Sequence, residues 1–207
     1  MMSRLKEGNK ITRVDYLGEG DKVPELTTEQ LENIQIDYGL IYTNYGELDS
    51  ALLGPTRGGG EFKANATVRQ IEFDGQKGMT KGMKVVEDIN AALTVVTLDT
   101  AMATLALAMP WATYDDVAGT ITATSANIGI IPSGSYLKNV TMFAKTVKGE
   151  YRKITLYNAM SEKEFSLAAK PKGEGEVRLE VNAHWDATDD TSNLFKVENV
   201  ADLTPPV

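Results

Sequence analysis

Few side chains in this sequence are of the types that carry out catalysis. The 207 residues include no cysteine and a single histidine, His184. Thiolate nucleophiles, disulfides, cysteine-ligated zinc and iron–sulfur clusters are therefore excluded, and most histidine-based catalysis is excluded with them. The alternation around His184 places it on the polar face of a predicted strand, beside Glu180 and Asn182. We therefore expect a solvated or interface histidine, in a protein that is not an enzyme and needs no cofactor.

An acidic segment near the C-terminus is the candidate for a metal site. Asp186, Asp189 and Asp190 supply three carboxylates within five residues. The segment lacks the glycine and the final bidentate glutamate of a helical calcium loop. An acidic turn is therefore the expected structure, and a structural calcium ion is the alternative.

Two glycine-rich segments have the composition of phosphate-binding loops. They span residues 54–60 and 75–82. Neither completes the Gly-Lys-Ser/Thr pattern that opens a helix in nucleotide-binding loops, and strands are predicted after both. We therefore expect turns, in which glycine adopts the positive φ that other residues avoid.

The charge balance argues against tight, nonspecific binding to nucleic acid. Lysine and arginine number 21 against 29 aspartates and glutamates, which gives a formal net charge of −8. Binding to duplex DNA requires clustered positive charge. A small basic cluster in and around a predicted hairpin lacks the interleaved aromatic residues of a single-strand platform. We expect two of its members, Lys145 and Arg152, to pair with acidic groups of a neighbouring subunit.

Apolar stretches in the sequence are short. The longest weakly polar one covers residues 101–109, well below the roughly 20 apolar residues that a membrane span requires. Residues 1–7 carry charges without the apolar region of a secretory signal. We therefore expect a chain that is made in the cytoplasm and is not inserted into a membrane.

Period-two alternation of apolar and polar residues predicts strands over much of the chain. The clearest case places Val177, Leu179 and Val181 on one face of a half-buried strand. Alternation also predicts a strand over residues 36–42 whose even-numbered side chains share the apolar face, and a long strand over residues 85–98. Further strands are predicted over residues 62–73, 121–124, 136–147, 152–157 and 164–167. Many strands at short spacing predict a mainly β fold, with β-sandwich or barrel-forming sheets.

The apolar phase changes within one of these predicted strands. Apolar residues up to Val68 share one parity, whereas Ile71 and Phe73 share the other. Because a slip of one residue exchanges the two faces of a strand, we expect a bulge or bend near Arg69 and Gln70.

One short flanking α-helix is predicted over residues 101–109. Asp99 or Thr100 can accept hydrogen bonds from its first amides, and Pro110 ends it. Only Thr104 interrupts an otherwise apolar run. We therefore expect the helix to be buried, either under a sheet or in a subunit contact.

An irregular connection is predicted over residues 43–60. Its eighteen residues are long against the usual median of about 4–6. It displays three leucines, Leu48, Leu52 and Leu53, which favours a role in contacts between molecules. The alternative is a loop that folds over its own core.

The chain is predicted to form a single domain, residues 1–207, with an arm at each end. Its 42% hydrophobic content is sufficient for one core. Residues 1–28 and 199–207 show little periodicity. We expect these ends to be extended arms that become ordered on assembly.

Three segments carry a likeness to a known family: residues 38–42 (YGLIY), 53–62 (LGPTRGGGEF) and 71–78 (IEFDGQKG). Together they resemble the major tail protein family of long-tailed, siphovirus-type bacteriophages. A long strand over residues 84–99, followed by a short apolar helix that ends at Pro110, agrees with the family's order of elements. The similarity covers residues 38–110 well, is looser up to Trp185 and is absent at both ends.

The resemblance implies a tail-tube-like β-sandwich flanked by a helix, with subunits in six-membered rings whose sheets join into one inner barrel. Stacked rings then form the tube through which the genome is ejected into the host. Sheet edges that are a liability in a monomer would be covered by neighbouring subunits. The implied partners are further copies of the chain and other tail proteins, such as the tape measure, distal tail and terminator proteins. Double-stranded DNA would pass without specific binding, and the implied location is a virion tail assembled in the host bacterial cytoplasm.

Under this resemblance the irregular connection becomes the candidate for the axial contact between rings. Its candidate residues are Leu48, Asp49, Leu52, Leu53 and Arg57. The candidates for an acidic lumen wall lie on the polar faces of the longest strands and are Glu87, Asp88, Asn90 and Asn65. An acidic wall would let DNA slide because it repels the phosphates. The sequence leaves open which strand face looks inward.

Two alternative interpretations stay open. A tail-terminator or other neck protein is close to the first interpretation. A non-catalytic β-sandwich binding module would instead display aromatic side chains along one face. The two tryptophans, Trp111 and Trp185, are expected in the core or in an interface.

Overall fold

A computed structural model describes residues 4–6, 10–12, 27–37, 40–75, 78–167 and 173–203. Within these ranges the chain is mainly β, with antiparallel sheets and a few short helices, which confirms the predicted fold class. The strands are β1 (Arg4–Lys6), β2 (Lys10–Thr12), β3 (Gln35–Asp37), β4 (Ile41–Thr43), β5 (Ala51–Leu52), β6 (Thr56–Gln70), β7 (Lys84–Thr97), β8 (Thr113–Asp115), β9 (Thr120–Thr122), β10 (Leu137–Thr146), β11 (Tyr151–Ser161), β12 (Val177–Asn182) and β13 (Phe195–Val200). The α-helices are α1 (Thr28–Glu32) and α2 (Met102–Leu107), and single 3-10 turns span Ser125–Asn127 and Ser133–Ser135.

One antiparallel path runs through the strands in the order β5-β4-β10-β11-β12-β7-β6. β3 also pairs with β10, and β13 also pairs with β11. Because β10 occupies one edge of β11, the strands β13 and β12 share the other edge, at residues 151–156 and 160–161 respectively. The path therefore divides into two layers at Asn158, whose φ of 46° lies in the left-handed region.

The core lies between these two layers. β4, β10 and β11 contribute Ile41, Met142 and Leu156, while β7 and β12 contribute Leu93 and Leu179. Each of these side chains exposes 4% or less of its surface. The structure is thus a sandwich, and its sheets do not close into a barrel within the described part of one chain.

β6 approaches the opposite layer at a point where a side chain would collide. A Cβ on Gly60 would lie 2.7 Å from Met142 Sδ and 3.2 Å from Ile41 Cδ1. Just before it, Gly58 and Gly59 have φ values of 76° and 75°, where an irregularity interrupts the pairing with β7. The glycine run therefore allows β6 to cross the margin of the core and continue beyond it.

The predicted bulge lies two residues away from its expected position. Thr67 pairs with Asp88 and Val68 with Val86, so Glu87 is the extra residue and it belongs to β7. A bulge near Arg69 and Gln70 is thus confirmed, although residues 69–70 themselves pair regularly and the extra residue on β7 does not change the parity of β6. The phase change at Ile71 arises because β6 has already ended there.

The predicted apolar face of residues 36–42 is also wrong. Ile41 is buried in the core, whereas Ile36 and Leu40 are exposed and Tyr42 is half-buried on the outer face. Tyr38 lies outside the described residues. Three consecutive apolar side chains at residues 40–42 leave the parity undefined, and the aliphatic Ile41 takes the core position while the tyrosine keeps its hydroxyl near solvent.

The predicted irregular connection is partly regular. β5 lies within it, and β6 begins at Thr56, so the irregular parts are residues 44–50 and 53–55. Leu53 is buried and its N–H donates to Ile41 O at 2.9 Å, which corrects the expectation that Leu53 is displayed. Its place beside the core strand β4 explains the burial.

The predicted helix forms as α2, shorter than expected. No side chain caps its first amides, so the predicted cap is wrong; Asp99 instead lies just before the helix, where Oδ1 accepts the Ala101 N–H at 3.0 Å and Oδ2 accepts the Thr104 hydroxyl at 2.8 Å. Leu105 and Thr104 are buried, but Met102 on the other side is exposed. Within one chain, burial under a sheet therefore holds for only one side of α2, and burial of the other side in a subunit contact stays a prediction.

Three smaller expectations also change. The short helix α1 was not predicted; it starts with a capping box between Thr27 and Gln30. The strand predicted at residues 164–167 reduces to one isolated bridge at Leu167. Trp111 and Trp185 are both exposed, so a place in the core of the chain is wrong and a place in an interface stays a prediction.

Most of the predicted N-terminal arm lies outside the described residues. Within it, β1 and β2 pair with one another. At the other end, Asn199 and Val200 belong to β13, where they pair with Arg152 and Tyr151 of β11.

Candidate assembly surface

The pair β6 and β7 extends beyond the sandwich as a two-stranded ribbon, residues 64–70 and 84–90. β12 pairs with β7 only from Ala92 to Thr97, so the ribbon has no third strand among the described residues. All of residues 64–69 and 84–90 are exposed. Seven residues at about 3.4 Å each make the ribbon roughly 24 Å long.

One face of the ribbon is apolar. Ala66 pairs with Ile89, and Val68 pairs with Val86, where the two valines expose 50% and 54% of their surfaces. This face continues the core face of the same strands, because residues at alternate positions of a strand point to one side. The core-facing side of β6 and β7 therefore continues along the ribbon, where no described residue covers it.

The opposite face of the ribbon is polar except for Val85, the partner of Arg69, and holds all four lumen-wall candidates. Asn65 and Asn90 are direct partners across the two strands, and Asn90 Nδ2 donates to Asp88 Oδ2 at 2.9 Å. Glu87 forms an ion pair with the Nε of Arg69. The structure thus brings the four candidates together on one face, where Arg69 balances part of their negative charge.

The outer edge of β6 is open. β7 covers one edge of its fifteen residues, and no strand in the described ranges pairs with the other. An open edge presents a row of backbone N–H and C=O groups to which another strand can add. The ribbon therefore combines an uncovered apolar face with an unpaired edge.

The segment of residues 44–50 folds over the outer face of its own sheet. The Asn44 N–H donates to Asn139 O at 2.7 Å, and the Tyr45 N–H donates to Asn139 Oδ1 at 2.9 Å. The Tyr45 ring packs on Phe143 and Tyr42, with centroids 5.1 and 5.4 Å apart. The alternative of a loop packed on its own chain thus holds for this part of the connection.

The ring-stacking candidates occupy different environments along this connection. Leu48 is fully exposed at the apex, Leu52 is half exposed in β5, and Leu53 is buried. Asp49 Oδ2 accepts a hydrogen bond from Asn44 Nδ2 at 2.6 Å, which fixes the turn below Leu48. The loop therefore holds Leu48 outward on an ordered base.

The fifth ring-stacking candidate, Arg57, is paired within its own chain. Its guanidinium lies 2.7 Å from Glu174 Oε2 and 2.5 Å from Glu176 Oε1. The hydrogen bond to Glu174 raises the pKa of Arg57, and the same bond lowers the pKa of Glu174. The charge of Arg57 is thus matched by the segment that leads into β12.

The two inter-subunit charge candidates, Lys145 and Arg152, point to opposite faces of the sheet. Lys145 pairs with Tyr151 and its ammonium lies 6.0 Å from the centre of that ring, while Arg152 stands opposite Ala144. A neighbouring cation, Lys153, already pairs with Glu198 at 3.1 Å. The predicted basic cluster therefore does not form one patch, because Lys145 and Arg152 lie on different faces of the sheet.

His184 is half-buried and forms hydrogen bonds at the junction of the two layers. Its Nδ1 lies 2.9 Å from Asn158 O, and its Nε2 lies 3.0 Å from Glu162 Oε1. The second oxygen of Glu162 accepts from Asn182 Nδ2 at 2.8 Å. The hydrogen bond with His184 lowers the pKa of Glu162. Both ring nitrogens are thus engaged in structural contacts.

The carboxylates of the acidic segment cap their own turns. Asp186 Oδ1 accepts the N–H and the hydroxyl of Thr188 at 2.8 and 2.7 Å, and these bonds lower the pKa of Asp186. Asp189 Oδ1 accepts the same two groups of Thr191 at 3.0 and 2.6 Å. Across the described residues, no group of three or more histidine, aspartate or glutamate side chains converges as a metal site.

The two glycine-rich segments form turns only in part: β6 begins at Thr56, so the turn predicted for most of the first segment is wrong, whereas the described residues of the second segment lie in turns, bends and the irregular residues between them. Gly54, Gly75, Gly78 and Gly82 have φ values between 85° and 91°, a region that favours glycine. The second segment is the tip of the ribbon.

Sequence patterns missed two apolar surfaces. The first is the tip of the ribbon, residues 71–75 and 78–83, where Ile71, Phe73 and Met79 are exposed. The second is a groove of about 420 Å³ between α2 and the sandwich, lined in part by Ala106 and Ala159. The tip could have been found from the sequence, because apolar residues flank a glycine-rich turn. The groove could not, because it forms only when α2 packs on the sandwich.

Among the described helices, none has both the length and the apolar character that crossing a membrane requires.

No family model matches the sequence, and no curated protein matches it. Among solved structures, the chain is similar to a chain from the virion of a native gene transfer agent particle, with 12% sequence identity and a TM-score of 0.37. The match covers 72% of this chain and 92% of that chain.

Proposed function

We propose that this chain is a structural protein of a virion and builds the tail tube of a long-tailed phage. Copies join side by side into rings, six-membered as the family resemblance implies, and the rings stack into a conduit for the genome. The chain carries out no catalysis. It would act in the tail, beside tape measure, distal tail and terminator proteins.

The ribbon is the observation that supports this proposal. A two-stranded ribbon is marginally stable in water when it stands alone. Here Val68, Val86 and Ile89 form an uncovered apolar stripe along it, and each square ångström of apolar surface removed from water contributes about 25 cal/mol. The ribbon therefore gains stability when another surface covers its apolar face.

A second copy of the chain is the partner that the open edge favours. The edge of β6 offers backbone groups along Thr56–Gln70, and strand addition between identical subunits extends a sheet without any new side-chain motif. Because the ribbon projects to one side, the contact joins two different surfaces of neighbouring copies. Such head-to-tail contacts close into rings when the rotation between copies allows it.

The polar face of the ribbon suits the wall of a conduit. If the neighbouring copy covers the apolar face, then Asn65, Asp88 and Asn90 remain on the surface away from it. Arg69 on this face is already paired with Glu87, the neighbouring amides and carboxylates carry no positive charge, and the net charge of −8 on each copy repels DNA phosphates. The genome would therefore pass without being held.

Paired variants on the two ribbon faces test the proposal. Ala66→Asp places a carboxylate on the apolar face, and Asn65→Asp places the same group on the adjacent polar position; both sites are exposed. We expect wild type and Asn65→Asp to form rings and tubes in negative-stain electron microscopy at high concentration. Ala66→Asp should stay monomeric in sedimentation velocity.

Other outcomes separate the alternatives. Wild-type protein that remains monomeric at every concentration would contradict the proposal and favour a binding module. Rings that never stack would instead indicate a terminator or neck protein. Equal assembly of the two variants would show that the apolar face is not the contact.

A further inference from the structure

The tip of the ribbon and the α2 groove are apolar surfaces at opposite ends of one strand. The tip immediately precedes Lys84, the first residue of β7, and α2 follows shortly after Thr97, its last. Fourteen residues at about 3.4 Å separate the two ends by up to roughly 48 Å. A strand of this length holds the tip away from the groove of its own chain.

The described residues of the tip present apolar side chains on both of its arms. The Ile71 N–H donates to Met83 O at 2.8 Å, which closes the base of the tip. Gly75 and Gly78 have φ values of 88° and 91°, a region that favours glycine. Ile71, Phe73 and Met79 expose 42%, 50% and 88% of their surfaces.

The groove is apolar and carries no charged side chain among its lining residues. Small side chains on one side of α2, Ala103 and Ala106, leave it open, and Leu137 and Ala159 of the sandwich lie across from them. Its volume of about 420 Å³ is in the range of pockets that accept ligand-sized groups. An apolar side chain such as Met79 therefore matches its chemistry.

We infer that the tip of one copy docks in the α2 groove of the next copy along the tube axis. The inference rests on the proposed function, because it assigns the axial contact between the proposed rings. Each copy has one tip and one groove at opposite ends, so the contact repeats without limit in one direction. The tip and the groove of each copy are then both covered by further copies of the same protein.

The small size of the tip favours contacts between whole rings of identical copies over a contact between two single chains. The exposed parts of its three apolar side chains amount to about 350 Å², taking roughly 200 Å² for a complete large side chain. Each partner in a stable complex buries about 800 Å². A single tip is therefore too small to hold one isolated partner, whereas a ring presents several tips to several grooves at once and gains avidity. Stacking thus depends on rings forming first.

Because the sequence contains no cysteine, engineered cysteines test the contact directly. Met79→Cys in the tip and Ala106→Cys in the groove are combined in one chain, and assembled protein is treated with an oxidant or a short bifunctional maleimide. We expect a ladder of covalent multimers, since each copy links to the next at both ends. A mixture of the two single variants should give no species beyond dimers. Met79→Cys combined with Val147→Cys, an exposed position in the β10–β11 turn, is the matched control and should give no ladder.

A second pair of variants gives an independent readout. Met79→Asp should still form rings but lose the tubes, whereas Met79→Leu should retain both. Normal tubes from Met79→Asp, or normal tubes from the double-cysteine variant without a ladder, would overturn the tip–groove contact and leave the proposed function standing. Loss of rings together with tubes in Met79→Asp would assign the tip to a lateral contact and overturn the axial one. Absence of rings and tubes in wild type would count against the proposed function itself.

Discussion

Ile89 and Leu93 share one face of β7, four residues apart, yet Leu93 is fully buried and Ile89 keeps 37% of its surface exposed. The strand therefore passes from the core to solvent without any change in its apolar pattern. Leu93 is already covered within its own chain, whereas Ile89 has a side that only a second molecule can cover. A substitution at Leu93 should therefore affect folding, and a substitution at Ile89 should affect assembly.

Leu93→Ala should destabilise the monomer, and Ile89→Ala should not. Removing a fully buried leucine costs about 2–5 kcal/mol of unfolding free energy, because transfer and cavity terms add. Removing exposed Ile89 should cost about 1 kcal/mol or less but reduce assembly. Urea unfolding at low protein concentration measures the first effect, and sedimentation velocity at high concentration measures the second. Equal losses of stability in the two variants would mean that the ribbon packs on its own chain in solution.

Leu48 and Leu53 should differ in the same way. Leu48→Ser changes a fully exposed apex and should leave the unfolding free energy within about 0.5 kcal/mol of wild type. Leu53→Ala should cost about 2–4 kcal/mol because Leu53 belongs to the core. If the loop also contacts a neighbouring ring, as its exposed leucines predict, Leu48→Ser should shorten tubes seen by electron microscopy. Tubes of normal length would remove Leu48 from the axial contact.

Alternation predicted the strands whose two faces differ clearly in polarity. In β12, Val177, Leu179 and Val181 alternate with polar residues, and the buried positions follow that alternation. At Leu40, Ile41 and Tyr42 every side chain is apolar, so the sequence does not define which one faces the core. The structure resolves this through pairing with β10, which no local pattern encodes.

The candidate site was predictable only in part, for a physical reason. Alternation placed Asn65 and Asn90 on polar faces, and the structure makes them partners across one ribbon. That the opposite face is uncovered depends on how far the layer of β4, β10 and β11 extends over β6 and β7, a tertiary fact absent from the local sequence of β6. Leu53 was expected to be exposed but is buried. The two-residue strand β5, which was not predicted, pairs with β4 and places Leu53 in the core.

Asn158 should tolerate glycine better than alanine. Its φ of 46° marks the point at which β11 changes partner from β13 to β12, and its Nδ2 donates to His184 O at 3.3 Å. A side chain with a Cβ pays roughly 1–2 kcal/mol in this conformation, which glycine avoids. We expect Asn158→Ala to lower the unfolding free energy by about that amount relative to Asn158→Gly, in urea titrations followed by circular dichroism. Equal stability of the two variants would contradict a left-handed conformation at this junction.

The hydrogen bond between His184 and Glu162 should make the junction sensitive to acid. The hydrogen bond with His184 holds the pKa of Glu162 below its ordinary value of 4.5. Because folding lowers this pKa, the ionised carboxylate contributes stability above pH 4.5, and that contribution disappears as the pH falls through the lower pKa of the folded state. Wild type should therefore have a higher Tm than Glu162→Gln at about pH 6, and the difference should vanish in strong acid. Glu164→Gln, at an exposed position nearby, is the control and should match wild type throughout. A Tm difference that persists unchanged in strong acid would show that Glu162 acts through packing and not through its charge.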